Sequence, residues 1–232
     1  MSAAHVKSAV GVSASSAAPT LAFGSNVAAG NLICGFIQWD ADTVTLNSVT
    51  DSLGNTYTLR NNPVTNAAKR SAMFYAPNIL GGACTLTFTF SGATTSAQVI
   101  HEASGLDTSA PFDGSAMQSQ DNVSGTDAAT STAVVTTASG DYIFGATSEW
   151  AIGGVVSEGT GFTVAGAGTN APGGKIVGEY LIQGAAGSIA ATFTIPGGGY
   201  TFTGVMAFKA AAGGGSDLSA SIGEPLIGGS TF

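Results

Sequence analysis

His101 and Glu102 stand side by side in Ala97 to Gly114, AQVIHEASGLDTSAPFDG, the one stretch whose neighbouring side chains could move protons near neutral pH. The stretch begins as a strand and breaks at Ser104-Gly105-Leu106-Asp107 before closing on Pro111-Phe112-Asp113-Gly114. Adjacent strand residues point to opposite faces, so the pair cannot act on one substrate atom without a bulge. The plainer expectation is that Glu102 accepts hydrogen bonds from neighbouring strands or loop amides while His101 packs or lies exposed. Glycoside hydrolysis needs two carboxyls about 5 Å or more apart across the scissile bond. Glu149 and Glu179 also fall on expected strands and are the partners that could converge with Glu102. Serine chemistry lacks its G-x-S-x-G elbow, and two histidines are few for a general base.

Asp40 with Asp42, and Asp107 with Asp113, could offer carboxylates to Ca²⁺. Neither pair has the regular acidic spacing of a calcium loop, and turn capping is the simpler role for them. The glycine runs Gly153-Gly154, Gly173-Gly174 and Gly197-Gly198-Gly199 open no helix, so they read as turns and not as phosphate cradles. Trp39 and Trp150 are the candidates for stacking on sugar rings, a partly buried Trp at a sandwich rim being the equal alternative. No catalytic residue, metal ligand or cofactor is expected.

The elements that must position these residues are strands. No stretch holds an apolar face at helical spacing over three turns, whereas strand signals recur every ten to fifteen residues between Gly, Pro, Asn and Asp. Strands are expected near 5–12, 20–23, 31–39, 44–50, 56–60, 71–76, 83–90 and 97–104. After the central loop they are expected near 115–120, 132–137, 142–148, 161–164, 175–182, 188–195 and 200–209. Leu32-Ile33-Cys34-Gly35-Phe36-Ile37 is apolar on both faces and belongs in the middle of a covered sheet. Thr85, Thr87 and Thr89 alternate with Leu86, Phe88 and Phe90, the pattern of a half-buried antiparallel strand. Asp51-Ser52-Leu53-Gly54-Asn55 reads as a tight hairpin connection, with Asp51 capping backbone donors and Gly54 or Asn55 at positive φ. Cys34 and Cys84 fall on core-facing positions and are expected to be buried free thiols, a disulfide being the alternative.

The chain has 232 residues, of which 44% are hydrophobic and 9% charged, with a net charge of −8. Soluble domains usually carry roughly 25% charged residues, so the surface must be covered by Ser, Thr, Ala, Gly and Asn. Such a surface repels its neighbours weakly and suits an assembly or an extracellular setting. Six basic residues cannot track a phosphate backbone, which excludes nucleic acid as a partner. The N-terminal MSAAHVKSAVGVSASSAAP lacks an apolar core of signal-peptide length, and no apolar run is long enough to span a membrane. Neither export by a leader nor membrane insertion is expected.

The expected fold is all-β: a two-sheet antiparallel β-sandwich over residues 1–212, followed by a Gly-rich linker and C-terminal extended arm, 213–232. Several segments carry a family resemblance. They are Asn31-Leu32-Ile33, Val49-Thr50-Asp51-Ser52-Leu53-Gly54-Asn55-Thr56-Tyr57, Ile100 to Asp107, and Ala191-Thr192-Phe193 to Met206-Ala207-Phe208. Together these resemble a recurrent jelly-roll domain, similar to concanavalin-A-like sandwiches, of the kind found in bacterial surface proteins and phage virion proteins. The resemblance spans about residues 5–210 and implies the fold, without assigning chemistry to any residue. The closely spaced acidic triplet of sandwich-fold glucanases is absent.

Three functions are weighed on this basis. The first is a non-enzymatic structural or decoration protein on a phage virion surface: capsid decoration, head fibre or tail component. It would be a homo-oligomer or be bound to other virion subunits. The second is a glycan-binding module of a bacterial surface or extracellular protein, and the third a glycoside-active enzyme. Virion display and contact with host-surface glycans are compatible. Leu218, Ile222, Leu226, Ile227 and Phe232 give the arm apolar anchors for docking on a neighbouring subunit, folding back on its own sandwich being the alternative.

Overall fold

Alternating apolar residues become strands throughout, and no helix occurs among the described residues of the computed structural model: 2–66, 68–122, 126–150, 155–169, 175–196 and 199–212. The first eight strands are β1 (Ala4–Ser16), β2 (Thr20–Ala22), β3 (Leu32–Trp39), β4 (Leu46–Asp51), β5 (Thr58–Asn66), β6 (Lys69–Ala76), β7 (Thr85–Phe90) and β8 (Thr94–Ser104). They form a five-stranded antiparallel sheet, β1-β8-β3-β6-β5, and a three-stranded sheet, β2-β7-β4. The doubly apolar segment becomes β3, central in its sheet and buried at every residue. The Thr ladder becomes β7, whose Leu86, Phe88 and Phe90 are buried while the threonines between them are half-buried.

The remaining strands are β9 (Phe112–Asn122), β10 (Thr126–Thr130), β11 (Val134–Val135), β12 (Asp141–Trp150), β13 (Thr163–Thr169), β14 (Lys175–Gln183), β15 (Ser188–Ile189), β16 (Thr192–Pro196) and β17 (Gly199–Phe208). Here the five-stranded sheet is β13-β14-β12-β17-β9, with two-stranded pairs β10-β16 and β11-β15 beside it. The strand β10 has no counterpart in the sequence reading, because Thr-Asp-Ala-Ala-Thr carries little apolar signal. The expected strand over 188–195 divides in two at Ala190-Ala191, where the Ala191 N–H turns to Ser131 Oγ. Of the expected strand over 132–137 the ladder keeps Val134–Val135 alone.

The expected sandwich is the pair of five-stranded sheets facing each other. Between them lies a core that includes Leu32, Cys34, Phe36, Met73 and Val99 from one sheet and Tyr142, Phe144, Phe202, Met206 and Phe208 from the other. The small sheets cover the outer faces. Ile33, Ile37, Trp39, Phe74 and Ile100 pack against Leu21, Leu86, Phe88 and Phe90. On the far side, Ile143, Val177 and Val205 pack against Ala129, Phe193 and Ile195. The result is four layers and three apolar seams. A buried Phe or Ile in any seam contributes about 2 kcal/mol through the apolar surface it removes from water.

The two halves have the same topology. Replacing β1, β8, β3, β6 and β5 by β9, β17, β12, β14 and β13 converts one large sheet's strand order into the other's. Equivalent residues follow from register. Gly35 pairs with Phe74 and Ile100, as Gly145 pairs with Glu179 and Val205. Both glycines are forced by crowding: a Cβ on Gly35 would lie 2.4 Å from Phe74 Cζ, and one on Gly145 2.7 Å from Glu179 Cγ. The halves meet about a pseudo-twofold axis, with β1 packed near β13 and β5 near β9. At one seam His5 of β1 stacks on Tyr180 of β14, with ring centroids 4.5 Å apart. At the other, the equivalent Phe112 of β9 stacks on the equivalent Tyr75 of β6 at 5.4 Å.

Candidate functional site

Strand alternation separates His101 from Glu102, as the sequence requires. His101 faces the central core. Its Nε2–H donates to the Ala165 carbonyl at 2.5 Å, and Nδ1 lies 2.9 Å from the Tyr142 hydroxyl. Because a carbonyl only accepts, Nδ1 of the neutral ring is the acceptor and the phenol donates to it. The phenol oxygen lies 3.0 Å from His5 Nδ1, which makes His5 the donor there. This chain of bonds ties β1 and β8 of one half to β12 and β13 of the other. Burial, then the neighbouring His5, pushes the His101 pKa down to about 3 against the lift of the Ala165 bond. Burial also lowers His5 and raises the Tyr142 phenol. The ring of His101 is thus neutral across the physiological range, and it works as a fastening between halves.

Glu102 faces the opposite way, into the layer under β2-β7-β4. Its Oε1 accepts from the Ala28 N–H at 2.7 Å and from Asn31 Nδ2 at 2.6 Å, and Oε2 lies 3.3 Å from Lys7 Nζ. These contacts clamp the loop between β2 and β3.

Glu149 and Glu179 do not converge with Glu102. Both lie on the outer face of the second large sheet, two sheets and the central core away. Along that face Gly145 is opposite Glu179 while Glu149 is opposite Lys175, an offset of four residues or about 13 Å at strand rise. Paired glycosidase carboxyls sit no more than about 9.5 Å apart, so this spacing fits neither stereochemical course. Both are also fully buried. The Glu179 carboxyl accepts the Gly159 N–H at 3.0 Å and a second N–H from Thr192. Burial pushes its pKa up to about 8, the two N–H bonds opposing and Glu158 assisting.

The aspartates are spent on turns and ion pairs. Asp107 Oδ1 accepts from the N–H groups of Ser109 and Ala110 and from Ser109 Oγ. Asp40 pairs with Lys69 at 2.5 Å. Asp113 accepts from the Thr137 backbone and hydroxyl and lies 3.3 Å from Lys209 Nζ. Burial pushes the Asp113 carboxyl up, but these donors outweigh it and hold it below its ordinary value. Beside it Asp141 is fully buried, and burial together with the Asp113 carboxyl pushes it up to about 7. No group of three or more metal-ligating side chains occurs among the described residues.

Trp39 departs from expectation. It is fully buried, its indole N–H donates to the Val44 carbonyl at 2.8 Å, and its ring packs on Phe90 at 5.4 Å. Neither ring face is open to a sugar, because a strand-end residue of a central strand is roofed here by β4 and the turn before it. Trp150 ends β12 opposite Tyr200; its side chain lies outside the described residues. The arm anchors Leu218, Ile222, Leu226, Ile227 and Phe232 also lie outside them.

The cysteines follow the sequence reading. Both are free and buried, Cys34 in the central core and Cys84 in the outer one.

A groove of about 440 Å³ that sequence reasoning missed opens at one end of the first half, lined by Gly54, Asn55, Thr56, Thr58, Pro77, Asn78, Leu80 and Thr108. Its floor is a rigid turn. Asp51 Oδ1 accepts the N–H groups of Leu53, Gly54 and Asn55, and Oδ2 accepts from Asn55 Nδ2 and the Tyr57 hydroxyl. Asn55 Oδ1 in turn takes the Leu80 N–H at 2.7 Å. As expected for this turn, Gly54 has positive φ, +83°. The signal for the groove was present in the sequence as the turns 51–58 and 77–80, which the antiparallel pairing of β5 with β6, Thr58 opposite Tyr75, brings side by side. Comparison with protein-family models, with curated proteins and with solved structures finds no match for this chain.

Proposed function

We propose that this chain is a non-enzymatic structural protein of a larger assembly, displayed on a phage virion surface as a capsid decoration, head fibre or tail component. The observation that supports this reading is where the ionisable groups go. His101, Glu102, Glu149, Glu179 and Asp141 are all buried, divided among separate layers, in a chain that is only 9% charged. His101, Glu102 and Glu179 bind strands and loops together, and the five groups do not converge on one solvent-reached atom. A thick, four-layer, all-β body with an almost uncharged Thr/Ser/Gly exterior suits packing beside many copies of itself or other subunits. The connectivity of the first half, β1-β8-β3-β6 over β2-β7-β4, supports the resemblance to jelly-roll domains.

In this reading the 213–232 segment is the docking arm, with its apolar residues engaging a neighbouring subunit. The test is mass spectrometry of purified particles together with light scattering of the full chain and of residues 1–212. The expected outcome is the chain in particles, the full chain oligomeric and the shortened one monomeric. Absence from particles, with a monomer in both forms, would refute the proposal.

A further inference from the structure

We infer that the groove between 51–58 and 77–80 binds a short, neutral, polyhydroxylated ligand, a two- or three-residue stretch of uncharged glycan. Three observations carry it. The first is the chemistry of the walls. Every lining side chain is neutral, so neither a phosphate nor a carboxylate finds a counter-charge there. The exposed Asn78 amide and the hydroxyls of Thr56, Thr58 and Thr108 take no hydrogen bond among the described residues. They offer donors and acceptors in mixed array, which suits ligand hydroxyls that are both. Leu80, 57% exposed, and Pro77 beside it supply an apolar ledge for the C–H face of a ring.

The second observation is rigidity. The Asp51-centred turn and the Asn55–Leu80 bond fix the floor without using any of those free groups. A preorganised polar site loses little entropy on binding. Its volume of about 440 Å³ lies within the usual range for small-molecule sites.

The third is the comparison between halves. Thr58 of β5 and Thr163 of β13 are equivalent by register, each opposite a tyrosine of the neighbouring strand. The loop that follows β14, however, is Gly184-Ala185-Ala186-Gly187, where the first half has Pro77-Asn78-Ile79-Leu80 after β6. Continuing that register, Asn78 matches Gln183, whose amide is bonded to Thr136 and Gly187, and Leu80 matches Ala185, so the free amide and the Leu ledge occur in the first half alone. Packing alone does not call for this difference, since Asn78 and Leu80 are exposed.

The experiment is titration of the ¹⁵N-labelled full chain with neutral trisaccharides (maltotriose, cellotriose, mannotriose, chitotriose), with sialyllactose and a sulfated trisaccharide as charged controls. At least one neutral sugar is expected to shift the amides of 54–58, 77–80 and 108. Asn78→Gly, which suits the left-handed backbone at φ +49°, and Leu80→Asp should each weaken binding about ten-fold, the loss of roughly one good contact. Both sites are exposed, so melting temperatures should stay near wild type, and Thr56→Val provides a third, independent reading. The inference is overturned by no shift at about 10 mM of any neutral sugar. Shifts away from the groove, binding of the charged controls alone, or wild-type affinity in all three variants would overturn it equally.

Discussion

Replacing Glu179 by Gln should stabilise the protein, and by an amount that depends on pH in a defined way. The carboxyl is fully buried and its pKa is raised from the ordinary 4.5 to about 8. For an acid raised in this way the folded state holds its proton more tightly than the unfolded chain does. The stability it contributes is therefore complete below pH 4.5 and is lost as pH rises toward 8. The slope is about 1.4 kcal/mol per pH unit over that window, giving a loss of about 3 kcal/mol by pH 7 and about 5 kcal/mol above pH 8. Glutamine keeps the acceptor for the Gly159 and Thr192 N–H groups but cannot ionise. Urea unfolding of wild type and Glu179→Gln from about pH 5 to about pH 9 isolates this contribution, because all other titrations cancel in the difference. The advantage of the variant should grow with pH and level off near pH 8. A difference that stays flat across the range would refute the assignment of a buried, protonated Glu179.

His101→Met places in the first half the residue that the second half has at the equivalent Met206. It should cost stability at pH 7, but that cost should shrink by about 3 kcal/mol by pH 4, because a histidine lowered to about 3 loses its stabilising effect as pH falls below 6.5; a pH-independent cost in urea unfolding would contradict this. Gly54→Val should destabilise by about 1–2 kcal/mol from positive φ alone, since nothing lies within 4 Å of the added Cβ; an unchanged melting temperature would place the strain elsewhere. Cys34 and Cys84 should resist a thiol reagent in the native protein and react after denaturation, with Cys84 held unreactive by a pKa pushed up to about 12; rapid native labelling would contradict the burial. Trp39→Ala should cost about 3–5 kcal/mol as a core truncation, measured by urea unfolding; a loss below about 1 kcal/mol would show that the ring is not packed as described.

Much of the fold was legible because its strongest signals are local. The two-sided apolar run of β3, the Thr ladder of β7 and the Asp51 turn each state their environment within six to eight residues. The duplication was not legible. Gly30-Asn31-Leu32-Ile33-Cys34-Gly35-Phe36 and Gly140-Asp141-Tyr142-Ile143-Phe144-Gly145-Ala146 share two glycines and an isoleucine, and only register shows that they occupy one place. The fate of Trp39 was hidden for a related reason. Alternation says which face of a strand a ring takes, whereas the roof over it comes from β4 and from Val44, which belong to another layer. The groove needs two turns that the β5–β6 pairing sets side by side, Thr58 opposite Tyr75, and that the Asn55–Leu80 bond then pins.

Three of the buried ionisable groups have apolar counterparts in the opposite half, so the fold itself does not require those three. Glu179 stands where Phe74 stands, His101 where Met206 stands, and Glu102 where Ala207 stands. What His101 adds, with His5 and Tyr142 at the junction of the halves, is discrimination between like and unlike pairing. Suppose two first halves packed together as the first packs on the second. Leu32 would then take the place of Tyr142, and His101 and His5 would lose the hydroxyl they share. A buried imidazole deprived of its partner costs about 1–3 kcal/mol, so the unlike pairing wins by a useful margin. A single polar contact that specifies one arrangement over another is the best-attested use of such groups in cores. At high chain concentration the same bonds would oppose an exchange in which a half of one molecule replaces the matching half of another.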